Sequence, residues 1–191
     1  MSSSIESYQR LAARSVEGEQ ARDVASALEA EVISLFDELR PRLLRYTLSC
    51  GLTSGDGEEI VQEAFIALVR HLQLGKPRNN LRGWLFRVAH NLALKRLSEN
   101  GRRREVAAGI DEAERHVDQN PNPEEHATFS QQRARLLAAL QALPDQDQRC
   151  LRLRAEGLRY REIALVLGIS LGSVSASLTR SLARLGRVSE R

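Results

Sequence analysis

With 191 residues, the chain has room for one ordinary domain or two small ones, and 42% apolar against 28% charged residues places it among globular rather than disordered proteins. Aromatic residues make up only 4%, five residues are proline, and Leu, Ala, Arg and Glu recur, which favours an all-helical chain over a sandwich or barrel. The net charge of +3 is sorted into blocks: residues 1–81 carry −3, 82–104 carry +6, 105–126 carry −6, 127–148 balance, and 149–191 carry +6. Two cationic segments around an anionic one suggest two contacts with a polyanion, joined by a connector that a polyanion would repel.

Several function classes fall away on residue usage. Cys50 and Cys150 stand far apart with no Cys or His at ligand spacing, the pattern of a reducing compartment. His71, His90, His116 and His126 share no metal-ligand spacing, and no Gly-rich phosphate loop occurs, so no metal, cofactor or enzymatic activity is expected. The start lacks a basic flank followed by an apolar core, and no stretch approaches 18 apolar residues. A cytoplasmic chain with no membrane insertion is expected.

In chain order, residues 1–25 carry few large apolar side chains and are expected to form an N-terminal arm. Leu28, Val32, Leu35, Phe36 and Leu39 then mark one helical face, which Leu43, Leu44 and Leu48 continue past Pro41; the proline predicts a kink or a new helix. Gly51 to Gly57 reads as a turn. Asp56 with Glu59 has the form of a capping box, opening a helix with Ile60, Phe65, Leu68, Val69 and Leu72 inward and ending near Gly75. Its acidic first turn, Glu58, Glu59 and Glu63, suits the helix dipole.

After a polar loop, Gly75 to Asn80, the cap Asn80 predicts a third helix to about Asn100. Leu81, Leu85, Val88 and Leu92 form its core stripe, while Trp84, Arg87, Asn91, Lys95 and Ser98 follow another face. Cations meet phosphates and a flat ring stacks on an unpaired base, so this second face suits a nucleic-acid strand. The alternative is a solvated face whose Trp84 is packed in the core.

Residues 101–122, with Arg102 to Arg104 and then Asp111, Glu112, Glu114 and Asp118, lack a sustained apolar period and read as a flexible acidic linker. The division is therefore an arm 1–25, a helical domain 26–100, a linker 101–122 and a second helical domain 123–187. Asn122 and Pro123 have the form of a helix start, and Leu136, Leu137, Leu140 and Leu143 would anchor that helix.

The last 45 residues carry the strongest pattern: a helix over Arg149–Glu156 stopped by Gly157, a second from Tyr160 to Leu167, the turn Gly168-Ile169-Ser170, and a third from Leu171 to Leu185. This is a helix-turn-helix. Ile163, Ala164 and Leu167 face inward, Gly168 permits a left-handed turn, and Ser170 caps the last helix. Val174, Leu178, Leu182 and Leu185 are its expected buried stripe, leaving Ser173, Ser175, Ser177, Arg180, Ser181 and Arg184 on exposed faces suited to a major groove.

The run from Leu143-Pro144 through Glu162-Ile163-Ala164, Leu167-Gly168-Ile169-Ser170 and Gly172-Ser173-Val174 to Arg180 resembles the fourth domain of bacterial sigma factors of the extracytoplasmic-function group. Independently, Asp56-Gly-Glu-Glu-Ile-Val-Gln-Glu-Ala-Phe65 resembles that family's polymerase-binding helix. Leu81-Arg-Gly-Trp-Leu-Phe-Arg-Val-Ala-His-Asn-Leu-Ala-Leu94 resembles its promoter-melting helix. The resemblance covers about residues 30–100 and 125–187.

It implies a dissociable subunit of core RNA polymerase that directs promoter DNA recognition, has no active site of its own, and is masked by an anti-sigma factor. Asp56, Glu59, Gln62 and Glu63 would face polymerase, with Phe65 and Leu68 in the core. Lys76, Arg78, Asn80, Trp84, Arg87, Asn91 and Lys95 would hold the minus-ten strand. Ser170, Ser173, Ser175, Ser177, Arg180 and Arg184 would face the minus-thirty-five duplex. Five positions depart from the family pattern: Lys95 replaces an acidic residue, Arg159 a serine cap, and Ser175, Ala176 and Ser177 frequent basic residues. Fewer cations imply weak duplex affinity for the free protein. A competing reading is a stand-alone regulator of the response-regulator output type, which shares the Glu-Ile-Ala and Gly-Ile-Ser patterns and would bind duplex DNA unaided as a dimer.

Overall fold

The computed structural model describes the backbone of residues 2–107 and 126–189, and the side chains of residues 26–102 and 134–187. The described residues form seven helices and no strand: α1 (Ser2–Ser49), α2 (Ser54–Gln73), α3 (Leu81–Ala107), α4 (His126–Gln141), α5 (Asp145–Ala155), α6 (Tyr160–Leu167) and α7 (Leu171–Ser189). Among them no single helix is long and apolar enough to cross a membrane. The expected linker falls largely outside the described residues, and its first residues, 101–107, extend α3. The Asn122–Pro123 helix start also lies outside them.

The first unit is a three-helix bundle. Leu39, Leu43 and Tyr46 of α1, Ile60, Val61, Ala64, Phe65, Leu68 and Leu72 of α2, and Leu81, Leu85, Phe86 and Ala89 of α3 are buried together. Phe36 meets Phe65 edge-on at 4.9 Å. α1 shows no break at residue 25 and runs through Pro41 without restarting. The proline removes one backbone donor, but Leu39 and Leu43 on either side are fully buried, and their packing outweighs that lost bond.

The start of α2 corrects the expected cap. Thr53, extended at φ −70° and ψ 162°, is the N-cap, and its hydroxyl accepts the Asp56 N–H at 3.1 Å. The cap is thus Thr53, three residues before Asp56, and its hydroxyl also donates to the Asp56 carboxylate at 2.9 Å. Gly57 is required where α2 crosses α1, since a Cβ there would stand 2.8 Å from the Thr47 hydroxyl.

The second unit packs α5, α6 and α7 with α4 against α7. Gly168 is left-handed at φ 66°, as a tight helix-turn-helix corner needs. Arg159 offers α6 no side-chain cap, as its type dictates, yet its N–H donates to the Glu162 carboxylate at 2.6 Å, so half of a capping box remains. On α7 the inward face differs from the expected leucine stripe. Val174 and Leu178 are buried, but so are Ser177 and Ser181, while Leu182 is 57% exposed. Small serines let α7 approach α5 closely, and each finds a partner: Gln146 donates to the Ser177 hydroxyl at 3.4 Å, and the Ser181 hydroxyl donates to the Ser177 carbonyl at 2.8 Å.

The described parts of the two units meet along a seam. α3 packs against α6, α1 touches α5, and a single buried cluster runs from Leu39 to Leu178. At the seam, Arg45 grips the Glu156 carboxylate with two bonds, the shorter 2.8 Å, and Arg82 donates to the Glu156 carbonyl at 2.9 Å. That carbonyl caps the end of α5, where a cation complements the helix dipole. The Arg82 Nε is buried without a partner.

His90 lies near this seam, buried, with its Nδ1 2.7 Å from the Tyr46 hydroxyl. Burial first, and the charge of Arg149 second, lower its pKa from 6.5 to about 4. The unfolded ring takes up a proton near 6.5 whereas the folded one does not, so acid favours unfolding. The folded state is expected to lose stability as pH falls from about 6.5 to about 4. Urea midpoints measured across that window should fall more steeply for the parent than for His90→Gln.

Candidate nucleic-acid interface

α3 carries two buried faces and one open one. Leu81, Leu85, Phe86, Ala89, His90 and Ala93 turn inward, and Val88 and Leu92 are half-buried against the same core. Arg87, Asn91 and Lys95 are exposed along the remaining face, with Trp84 half-buried at its head. The expected stripe is therefore solvent-facing, and Trp84 is neither entombed nor free: its indole lies 4.6 Å from the His71 ring. Lys95 lies 4.0 Å from the Glu99 carboxylate.

The loop before α3 is exposed throughout, from Lys76 to Asn80. Arg78 is paired with Glu31 of α1 at 2.5 Å. Asn80 adopts φ 59°, and its side-chain oxygen accepts the Gly83 N–H at 3.1 Å, as expected of the cap. A Cβ on Gly83 would lie 2.5 Å from the Asn80 amide, so a glycine is needed for that side chain to fold over the helix start.

On α2 the four acidic and amide residues separate into two groups. Gln62 and Glu63 are exposed, and the Glu59 side chain is 56% exposed, whereas that of Asp56 is only 16% exposed. Arg96 of α3 reaches both carboxylates, at 2.5 Å to Asp56 and 2.8 Å to Glu59. The Thr53 hydroxyl first, and Arg96 with it, hold the Asp56 carboxyl below its ordinary range. Asp56 thus fastens α2 to α3 and presents little of itself outward. Ile66, 52% exposed, lies three residues beyond Glu63 on the open face and belongs to this surface. Sequence reasoning passed over it, although its absence from the buried stripe was a readable signal.

At the start of α7, the Ser170 hydroxyl accepts the Ser173 N–H at 3.0 Å, which confirms the cap, and Ser175 and Arg184 are exposed. Ser177 is a correction: it is fully buried on the α5 side and presents nothing to a groove. Arg180 has an exposed side chain but forks onto the buried Asp147 carboxylate, at 2.9 and 3.3 Å. Burial would raise the Asp147 carboxyl, and the bonds from Arg180 and Ser177 overcome that and hold it low. The exposed surface of α7 at this end is consequently hydroxylic, with the exposed Arg159 and Arg161 of the preceding segment beside Leu171.

Residues 35–103 match the Sigma-70 region 2 family and residues 133–185 match Sigma-70, region 4. The chain is 36% identical over 131 residues to the ECF RNA polymerase sigma factor SigE of Mycolicibacterium smegmatis, covering 68% of this chain and 50% of that relative, so it spans half of that protein's length. It is 31% identical to the ECF RNA polymerase sigma-E factor of Escherichia coli K12, covering 67% of this chain and 71% of the relative. Among solved structures, the sigma factor RpoE in complex with the anti-sigma factor NepR from Bartonella quintana superposes with a TM-score of 0.61 at 18% identity, covering 83% of this chain and 96% of that one. CnrH in complex with the cytosolic domain of CnrY gives 0.57 at 22% identity, over 88% and 93%.

Proposed function

Because the chain belongs to the extracytoplasmic-function RNA polymerase sigma factors, we propose that it binds core RNA polymerase in the cytoplasm, recognises promoter DNA through two surfaces, and performs no chemistry of its own. The observation that carries this reading is the open stripe Trp84, Arg87, Asn91 and Lys95 beside the exposed loop Lys76 to Asn80. A duplex base must be unstacked before an indole can hold it, at a cost of a few kcal/mol. Stacking and cations on the backbone offset that cost for an extruded strand and do little for closed duplex.

The open part of α2, Glu59, Gln62, Glu63 and Ile66, is the surface offered to polymerase, with Asp56 supporting it from within. Ser170, Ser173, Ser175 and Arg184 form the minus-thirty-five face, with Arg180 fixed on Asp147. So few phosphate contacts leave the free protein weakly attached to duplex, and useful affinity arises when polymerase presents both faces together. The similar RpoE structure is a complex with the anti-sigma factor NepR, and that of CnrH a complex with the cytosolic domain of CnrY; an anti-sigma factor that covers these surfaces is part of the proposal.

The test is association with core polymerase followed by run-off transcription on a promoter library. Charge reversal by Glu63→Lys is expected to weaken core association about tenfold or more, since an exposed carboxylate becomes a repelled cation. Asn91→Ala is expected to impair promoter opening while core association stays at the parental level. Failure to bind core, together with tight unaided binding to a palindromic duplex, would instead establish the stand-alone regulator.

A further inference from the structure

His71 occupies the last turn of α2 and touches both halves of the promoter-reading face. Its Nε2 lies 2.9 Å from the Pro77 carbonyl oxygen in the Gly75–Asn80 loop, and its ring centroid lies 4.6 Å from that of Trp84, tilted by 42°. A carbonyl oxygen only accepts, so Nε2 carries the proton and donates it. The His71 backbone carbonyl also accepts the Lys76 N–H at 3.2 Å. One residue therefore holds the loop at two successive positions and supports the indole.

This arrangement addresses a physical difficulty. The loop from Lys76 to Asn80 is exposed along its whole length, and a segment with so little packing loses conformational freedom when it closes on a ligand. Anchoring it beforehand removes part of that loss from the binding step. The imidazole in contact with Trp84 likewise restricts the indole before any base arrives.

We propose that His71 is a positioning residue for base selection at the minus-ten element: it holds the loop and Trp84 as one preorganised surface for an unpaired base. It acts through Pro77 and Trp84 and not by contact with DNA. The proposal rests on the assignment of this face to the minus-ten strand.

The test uses the full chain bound to core polymerase, on duplex promoters that differ by one base in the minus-ten element and carry a fluorescent base analogue reporting opening. His71→Ala removes both contacts, His71→Phe keeps the ring, and His71→Gln keeps a donor. His71→Ala is expected to slow opening about tenfold and to compress the rate ratio between preferred and altered promoters, with core affinity unchanged. His71→Phe and His71→Gln are expected to recover part of that selectivity. Parental rate and selectivity in His71→Ala would overturn the proposal, as would equal loss of core affinity and opening in all three variants. Arg87→Ala serves as the reference. If it impairs opening while His71→Ala does not, only the positioning role fails; if neither variant impairs opening, the assignment of the face fails with it.

Discussion

Replacing Trp84 by alanine is expected to slow promoter opening by about tenfold to a hundredfold while core polymerase capture stays within about twofold. A base stacked on an aromatic ring is worth about 1–3 kcal/mol by alanine substitution, and each 1.4 kcal/mol is a factor of ten. The indole heads an open face of α3, beside Arg87 and Asn91, so on the proposed reading the loss falls on the extruded strand. The residues proposed to face polymerase, Glu59, Gln62, Glu63 and Ile66, lie on the exposed side of α2. Because part of the indole packs on the core, Trp84→Ala also loses some stability. Trp84→Phe, which keeps an aromatic surface, should restore much of the rate. Opening followed by a fluorescent base analogue, with core affinity measured in parallel, gives both numbers. Equal losses in the two would assign Trp84 a purely structural role.

Phe86→Ala is expected to destabilise the fold by about 3–5 kcal/mol, the usual cost of emptying a fully buried aromatic site. Phe86 has no exposed surface, and its ring meets that of Tyr46 edge-on at 5.8 Å. Tyr46 in turn bonds to His90, so the cavity opens beside a buried polar pair. Urea unfolding should show one transition, displaced as a whole, because the buried cluster is continuous through both units. Two transitions with only the first displaced would show that the units unfold separately.

Much of this molecule was legible in its residues because helical periodicity and caps are local. Gly168, Ser170 and Asn80 stand in the roles their chemistry dictates, and Arg87, Asn91 and Lys95 share the face their spacing implies. What was not legible depended on partners distant in sequence. Ser177 is small and hydroxylic, equally suited to water or to a close helix contact, and only Gln146 and Asp147 of α5 decide for the interior. Leu182 is outward for the same reason, since the serines take its place. Asp56 looked like an outward carboxylate until Arg96, forty residues later, claimed it. The seam between the units was equally hidden, because Arg45 and Arg82 read as ordinary surface cations without knowledge of Glu156.

That seam has a geometric consequence. α3 lies on α6 and α6 on α7, so the two helices proposed to read DNA are one helix apart, about 20 Å between axes. Elements centred ten and thirty-five base pairs upstream of a start site are about 85 Å apart along B-DNA. On the proposed reading, engaging both across this span requires Glu156 to let go of Arg45 and Arg82. Whatever free energy holds the halves shut is therefore subtracted from promoter affinity, and the Arg82 nitrogen left without a partner keeps that deduction smaller than a fully bonded joint would impose.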